Sequence, residues 1–331
     1  MKRATFAAAT AATLASITIR PARAVESWKF ANDLTADHPI NVRAVQACAK
    51  IRRETNGQLD IRLFPNNQLG GVTAMLSQLR SGALEMHIGA GGVLDSVVPL
   101  SSIENIAYAF PNRPAVFAAM DNDLGAVIRA AVLEKGMMTL DRVWENGYRD
   151  FTNSKRPIRN AADLEGLKLR VSPSKLRLDT FRSMGASISP LPSNELYSAM
   201  QTHVVDGQET PLVYVETQHY YEVQKFASLS HHMWSGYWTL INLDKWKSLS
   251  PQFQTILSAR LNEAAVLARR DTEILALAVQ EKLSRQGLAF NTVDIGSIKA
   301  KLHASGYYGR WKAEFGDKAW SALEKYAGRL A

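Results

Sequence analysis

The 331-residue chain carries 39 Lys+Arg against 31 Asp+Glu, a formal charge of +8, with 46% hydrophobic residues and a single cysteine. That apolar share supports a packed core and excludes a disordered chain, and the lack of a dense Lys/Arg run interleaved with aromatics excludes a nucleic-acid footprint. The lone Cys48 excludes an internal disulfide, and the length allows two domains.

Lys2 and Arg3 precede an uncharged run, Ala4–Ile19, which leads through Arg20-Pro21 into Ala22-Arg23-Ala24, a small-x-small cleavage pattern. Residues 1–24 therefore read as a signal peptide, with the mature, exported chain starting near Val25. The run is rich in Ala and Thr and falls short of the ~20 strongly apolar residues of a membrane span. Removing Lys2, Arg3, Arg20 and Arg23 lowers the net charge from +8 to +4.

From Trp28 the pattern predicts strand Trp28–Asn32, helix Pro39–Thr55, strand Gln58–Phe64, helix Val72–Ser81 and strand Leu84–Ile88. Cys48 lies three after Val45 and three before Ile51, which places it on a packed helix face. Residues 167–210 repeat the sense: strand Leu167–Val171, helix Lys175–Met184, strand Ser187–Leu191, helix Asn194–Thr202 and a short strand Val205–Thr210. Two such βαβαβ units present strand ends to a crevice, where open α/β sheets bind ligands. Leu167, Leu169 and Val171 alternate with Lys168 and Arg170 before Ser172-Pro173 stops the strand. Arg170 thus sits at a strand tip, where a planar guanidinium can hold a carboxylate through two parallel hydrogen bonds; an exposed Arg on a solvated strand face is the alternative.

Ser250-Pro251 opens a helix that nothing breaks before Gly287, on the order of 50 Å long at ~1.5 Å per residue. Such a helix can brace two domains; a hairpin interrupted near Arg269-Arg270-Asp271 is the other reading. Its apolar stripe runs Phe253, Ile256, Leu257, Leu261, Ala264, Ala265, Ala268 and continues through Ile274, Leu275, Ala278 and Leu283.

Catalytic signatures are missing: there is no H-E-x-x-H, C-x-x-C or G-x-S-x-G. Glu216-x-x-His219 with His231-His232 is the best metal candidate, against a solvated helix face, and adjacent histidines on a strand point to opposite sides. No metal and no cofactor are expected. Gly89-Ala-Gly91-Gly92 follows a strand but lacks the P-loop Lys-Ser/Thr, so it reads as a close backbone approach to a ligand or as a plain turn.

Gly166-Leu-Lys-Leu-Arg170-Val, Met200-Gln-Thr-His-Val-Val-Asp-Gly-Gln-Glu209 and Tyr220-Tyr-Glu-Val-Gln-Lys225, with Leu63-Phe-Pro-Asn-Asn-Gln-Leu-Gly70 earlier, resemble the DctP-like substrate-binding proteins of TRAP (tripartite ATP-independent periplasmic) transporters. The likeness runs from about Trp28 to the C-terminus. It implies an α/β fold of two domains around a central cleft with a long bridging helix. Domain I would comprise 25–147 plus about 236–270, and domain II 148–235 plus about 271–331 with the C-terminal helices. It implies a monomer that captures an organic carboxylate in the periplasm for a small and a large membrane subunit. Arg170 would clamp the carboxylate and Arg149, in Gly147-Tyr-Arg149-Asp-Phe, would assist. A ligand sensor for a signalling receptor and a secreted enzyme acting on organic acids are the rival readings.

Departures from the family shape the ligand expectation. Thr210 stands where many members have Asn, Ser193 where several have a bulky aromatic, and Pro173 and Ala90 replace contacts of sialic-acid binders, so sialic acid is not expected. A small Ser193 with Tyr214, Trp234, Tyr237 and Trp238 nearby predicts a roomy pocket with aromatic walls, suited to a bulky or aromatic monocarboxylate. Core packing near the hinge is the alternative for each of those rings.

Overall fold

The structure is a computed structural model that describes residues 25–331; the expected signal peptide lies outside the described residues. In chain order the elements are β1 (Glu26–Ala31), α1 (Pro39–Glu54), β2 (Leu59–Phe64), α2 (Val72–Ser81), β3 (Met86–Ala90), α3 (Gly91–Leu94), a 3-10 turn (Pro99–Asn105), α4 (Arg113–Met120), α5 (Asp123–Glu134), β4 (Met137–Thr139) and β5 (Trp144–Asn153). There follow β6 (Lys168–Val171), α6 (Lys175–Met184), β7 (Ser187–Pro190), α7 (Ser193–Gln201), β8 (Gly207–Thr210), α8 (Leu212–Thr217), β9 (Phe226–Asn242), α9 (Leu243–Ser248), α10 (Pro251–Arg285), β10 (Ala289–Thr292), α11 (Ile295–Ala304) and α12 (Tyr307–Ala327).

Local chemistry sets the ends of these elements. His38 caps α1 by accepting from Ile40 N, with Pro39 in the first turn. Ser174 caps α6 by accepting from Arg177 N, and Gly185, at φ 93°, stops it in the left-handed conformation that costs glycine little. Ser250 accepts from Phe253 N to open α10, again with Pro251 in the first turn.

The strands form one sheet in the order β2-β1-β3-β9-β5-β8-β6-β7, with β4 and β10 also paired to β9. β1 runs parallel to β2 and β3, and β6 runs parallel to β7 and β8, so the two expected βαβαβ units occur with the same strand arrangement. Between them β5 and β9 run antiparallel, and the register slips between Glu145 and Gly147 and again between Arg149 and Phe151. These irregularities bend the central ribbon at the junction of the two units. Among the described residues no helix is long and apolar enough to cross a membrane.

α10 is continuous over 35 residues, so the hairpin reading is set aside. It packs along α1 and reaches β5 and α8, joining both halves of the sheet. Leu257, Leu261, Ala264, Ala265 and Ala268 are buried, as the stripe predicts. Beyond Ala268 the expected stripe holds only in part: Leu283 is buried, but Ile274 is 68% exposed and Ala278 is exposed, while Thr272 and Val279 face inward. The inward face shifts there because Arg269 is anchored. Its guanidinium donates to both oxygens of Asp121 at 2.8 Å and to Val143 O at 2.9 Å, and lies 4.1 Å above the Phe117 ring. Cys48 packs in the α1 core, and burial pushes its thiol up to about 12, so it is a packing residue rather than a nucleophile.

Removing one partner of a buried ion pair strands the other. Arg269→Ala is therefore expected to lower unfolding free energy by about 3 kcal/mol in urea denaturation. Arg285→Ala, which removes a solvent-exposed pair with Glu281 on the same helix, should be indistinguishable from wild type.

Candidate functional site

The tips of the two parallel units meet over a small enclosed void of about 30 Å³. Arg170, Arg149, Thr210, Ser193, Tyr214 and Tyr237 all line it, together with Asp33, His87, Asn146 and Arg177. The rims of the cleft touch: Asp33, from the β1–α1 loop, lies 3.3 Å from Ser193 Oγ and 3.3 Å from Tyr214 Oη, and Ser174 Oγ donates to Asp95 Oδ2 at 2.6 Å.

Three buried guanidinium groups define the site. Arg149, on β5, is held by Glu209 of β8, whose carboxylate pairs with it and whose carbonyl accepts from Nη2 at 2.6 Å. His232 Nε2 lies 3.4 Å from the same carboxylate and Ser230 Oγ 2.8 Å from His232 Nδ1, while the ring stacks on Phe151 at 4.4 Å. Burial lowers the His232 pKa, so the ring is neutral and offers one N–H. Burial works against ionisation of Glu209, yet Arg149, His232 and Arg177 hold its carboxyl below the usual range.

Arg170 and Arg177 are differently placed. Arg170 Nε donates to Leu191 O at 2.8 Å, and Arg177 Nη2 donates to Asn105 Oδ1 at 3.2 Å. Arg177 Nε is buried with no partner. Among the described residues neither guanidinium has a carboxylate within 4.0 Å. Burial lowers both pKa values, that of Arg177 to about 10, and both stay charged at neutral pH. The site therefore holds two desolvated cations with no carboxylate in direct contact, only the field of Glu209 and, for Arg177, of Asp95, an arrangement that an anionic ligand completes.

Asp33 supplies the opposite chemistry. Its carboxylate lies 3.3 Å from the hydroxyls of Ser193, Tyr214 and Tyr237, and Gln218 Nε2 donates to its carbonyl at 3.4 Å. Asn32 and Asn41 fix this loop through a reciprocal side-chain pair and bonds to Leu34 O and Thr35 O. Asp33, Arg177, His87 and Asn146 escaped the sequence reading, because only the folded chain brings those separated positions together. The polar pair Asn32-Asp33 directly after the apolar end of β1 was the available signal for Asp33.

Trp234, expected as a wall of the site, does not line the void, and Trp238 takes the core-packing alternative: Trp234 is buried against Phe117, and Trp238 donates its indole N–H to Glu104 at 3.0 Å. Trp234 serves the site through its carbonyl, which accepts from Asn105 Nδ2 at 2.9 Å and so orients the Arg177 partner. Nor does Ser193 open a roomy aromatic chamber, since its hydroxyl is turned to Asp33. The Gly91-Gly92 pair makes space rather than a phosphate loop. A Cβ on Gly92 would stand 2.9 Å from the Arg177 guanidinium, and one on Gly91 would strike Glu104.

The candidate metal group is dispersed: Glu216 pairs with Lys282, His219 lies beside Tyr221, His231 bonds Asp150 and His232 faces Glu209. Among the described residues no cluster of three or more His, Cys, Asp or Glu side chains is placed to hold a metal ion.

The sequence pattern described as bacterial extracellular solute-binding protein, family 7 (DctP), matches residues 30–304. The chain is 32% identical over 247 residues to the 2,3-diketo-L-gulonate-binding periplasmic protein of Escherichia coli (strain K12), across 75% of each chain. It is 33% identical over 203 residues to the sialic acid-binding periplasmic protein of Vibrio cholerae, across 61% of this chain and 63% of that one. A crystal structure of a TRAP periplasmic solute binding protein from Polaromonas sp. JS666, bound to D-erythronate, superposes with a TM-score of 0.87 at 26% identity, covering 92% of this chain and 99% of that one.

Burial pushes the Glu104 carboxyl up to about 8 from an ordinary 4.5. Because the folded value is the higher one, its contribution to stability is full below pH 4.5 and is lost as pH rises through about 8. Urea denaturation between pH 6 and pH 9 should therefore show wild type losing stability relative to Glu104→Gln, which keeps a hydrogen-bonding group without the titration. Parallel curves would contradict the assignment.

Proposed function

The chain belongs to family 7 of the bacterial extracellular solute-binding proteins, the DctP family, and we propose that its ligand is a polyhydroxylated monocarboxylate bound by Arg170 and Arg177. It is a periplasmic solute-binding component of a TRAP transporter, which captures an organic acid and works with membrane subunits. Members of this family are binding proteins of transporters rather than enzymes, and the relatives do not favour the sensor or enzyme readings.

One observation carries the ligand proposal: the void combines two guanidiniums that touch no carboxylate with one carboxylate, Asp33, already surrounded by hydroxyls. A ligand carboxylate fits between Arg170 and Arg177 through charge-assisted, bidentate bonds. Arg149, its own charge met by Glu209, adds field and rigidity rather than a free fork. Asp33 accepts hydrogen bonds only, so it suits ligand hydroxyls and repels a second carboxylate. Ser193, Tyr214, Tyr237 and Thr210 offer further hydroxyls at its edge. The relatives named for 2,3-diketo-L-gulonate and D-erythronate bind acids of this kind. This replaces the bulky aromatic acid that Ser193 and the tryptophans suggested.

Capture would proceed by closure of two lobes, 25–147 with about 236–270 and 148–235 with about 271–331. Asp33 reaches Ser193 and Tyr214 across the cleft, so a ligand joining Asp33 to the arginines adds contacts from both sides and favours the closed form.

In calorimetric titrations with D-erythronate and L-gulonate, Arg170→Ala is expected to weaken binding at least ~10-fold, and Arg170→Lys not to restore it. Asp33→Asn should narrow the preference for these acids over succinate by a further ~10-fold. Tighter binding of succinate than of any hydroxy acid by the wild type would overturn the ligand proposal.

A further inference from the structure

Behind the central ribbon, on the face of β5 turned away from the carboxylate site, lies a second and larger cavity of about 620 Å³. Strand alternation separates the two: Arg149 points to the front, whereas Tyr148 and Asp150 line the rear. Only Asn146 touches both. The rear walls come from Tyr108 and Phe110, from Pro211–Val213 after β8, from the α10 side chains Ala276 and Leu277, and from Ile295 and Lys299 at α11.

Its chemistry is that of a small-molecule site. The volume falls in the range of about 300–1,000 Å³ typical of ligand cavities, and the lining is mostly aromatic and aliphatic with a few polar groups. Leu277 is 80% exposed and Ile295 is 37% exposed, apolar side chains that the fold itself leaves uncovered. Two carboxylates near the cavity are already matched: Asp150 binds His231 Nδ1 at 3.1 Å, and Glu145 accepts from Arg113 Nε at 2.7 Å. Lys299, by contrast, has no carboxylate within 4.0 Å among the described residues, and its ammonium lies 5.6 Å from the Tyr108 ring.

Two further features mark the site. Tyr108 and His231, both bulky and both in the lining, hold left-handed backbone at φ 54° and 43°, a strained choice that folds retain where a side chain must be aimed. Tyr108 Oη is buried without a hydrogen-bond partner. Buried polar atoms of this kind are normally paired.

We propose that this rear cavity binds an amphiphilic organic anion, a monocarboxylate with an aromatic body, its head toward Lys299 and its rings against Tyr108, Tyr148 and Leu277. The site is distinct from the capture site and independent of the identity of the transported acid.

Naphthalene-2-carboxylate is the probe, titrated into the full mature chain by calorimetry. One equivalent is expected to bind, with affinity reduced at least ~10-fold by Lys299→Glu and by Leu277→Asp and changed less than ~2-fold by Arg170→Ala. Both substituted side chains are exposed, and thermal melting confirms that the variants fold. Absence of binding at millimolar probe overturns the proposal. So does binding that Arg170→Ala abolishes but Lys299→Glu leaves intact, since that places the probe in the front cleft, and so does binding indifferent to all three substitutions.

Discussion

Burying three guanidinium groups in one void while giving only Arg149 its own carboxylate is the constraint on which the site depends. Arg170 and Arg177 are desolvated and held by neutral acceptors, Leu191 O and Asn105 Oδ1. In the proposed complex an anion offsets the cost of leaving such charges without a direct partner, which turns a folding penalty into binding energy. Everything around them limits how they move. The glycine pair at Gly91-Gly92 lets Arg177 approach, and Ser174 caps the helix that carries it. The Trp234 carbonyl fixes Asn105, which in turn meets the guanidinium.

The second requirement is that two halves of one sheet share this site without being locked. β5 and β9 cross between them with two register slips, and α10 spans the back, fixed at Arg269. Arg149 sits on β5 between those slips, and Glu209 and His232 hold it from β8 and β9. The ion pair thus ties the central strands together just where the ribbon bends, while Asp33, through Ser193, Tyr214 and Gln218, and Asp95, through Ser174, reach across the cleft by hydrogen bonds without an ion pair. Strong contacts lie within the ribbon and weaker ones between the rims, the distribution that the proposed opening and closing would demand.

Much of the fold was legible because helix caps and apolar alternation are local. Helices 72–81 and 175–184 fall where the sequence pattern sets them, bounded by Gly82 and Gly185, and the long helix opens at Ser250-Pro251 as its cap predicts. The stripe along α10 was readable to Ala268 and again at Leu283, while between them the helix passes a cavity that Ala276 and Leu277 line. At the site, Arg170 was legible from its strand-tip position, and Arg149, Thr210, Ser193, Tyr214 and Tyr237 converge with it. Trp234 misled because on β9, buried on both faces, alternation carries no information about which side meets the ligand. Asp33 and Arg177 depend on contacts across 160 and 72 positions, which no local pattern encodes.

The proposed capture requires a single negative charge at Arg170 and Arg177 and hydroxyls at Asp33. Mass spectrometry of the small molecule retained through native purification measures that pairing directly. A retained acid with one carboxyl group and several hydroxyls is the predicted result; a dicarboxylate without hydroxyls, or an unsubstituted aromatic acid displaced by Arg170→Ala, would contradict it.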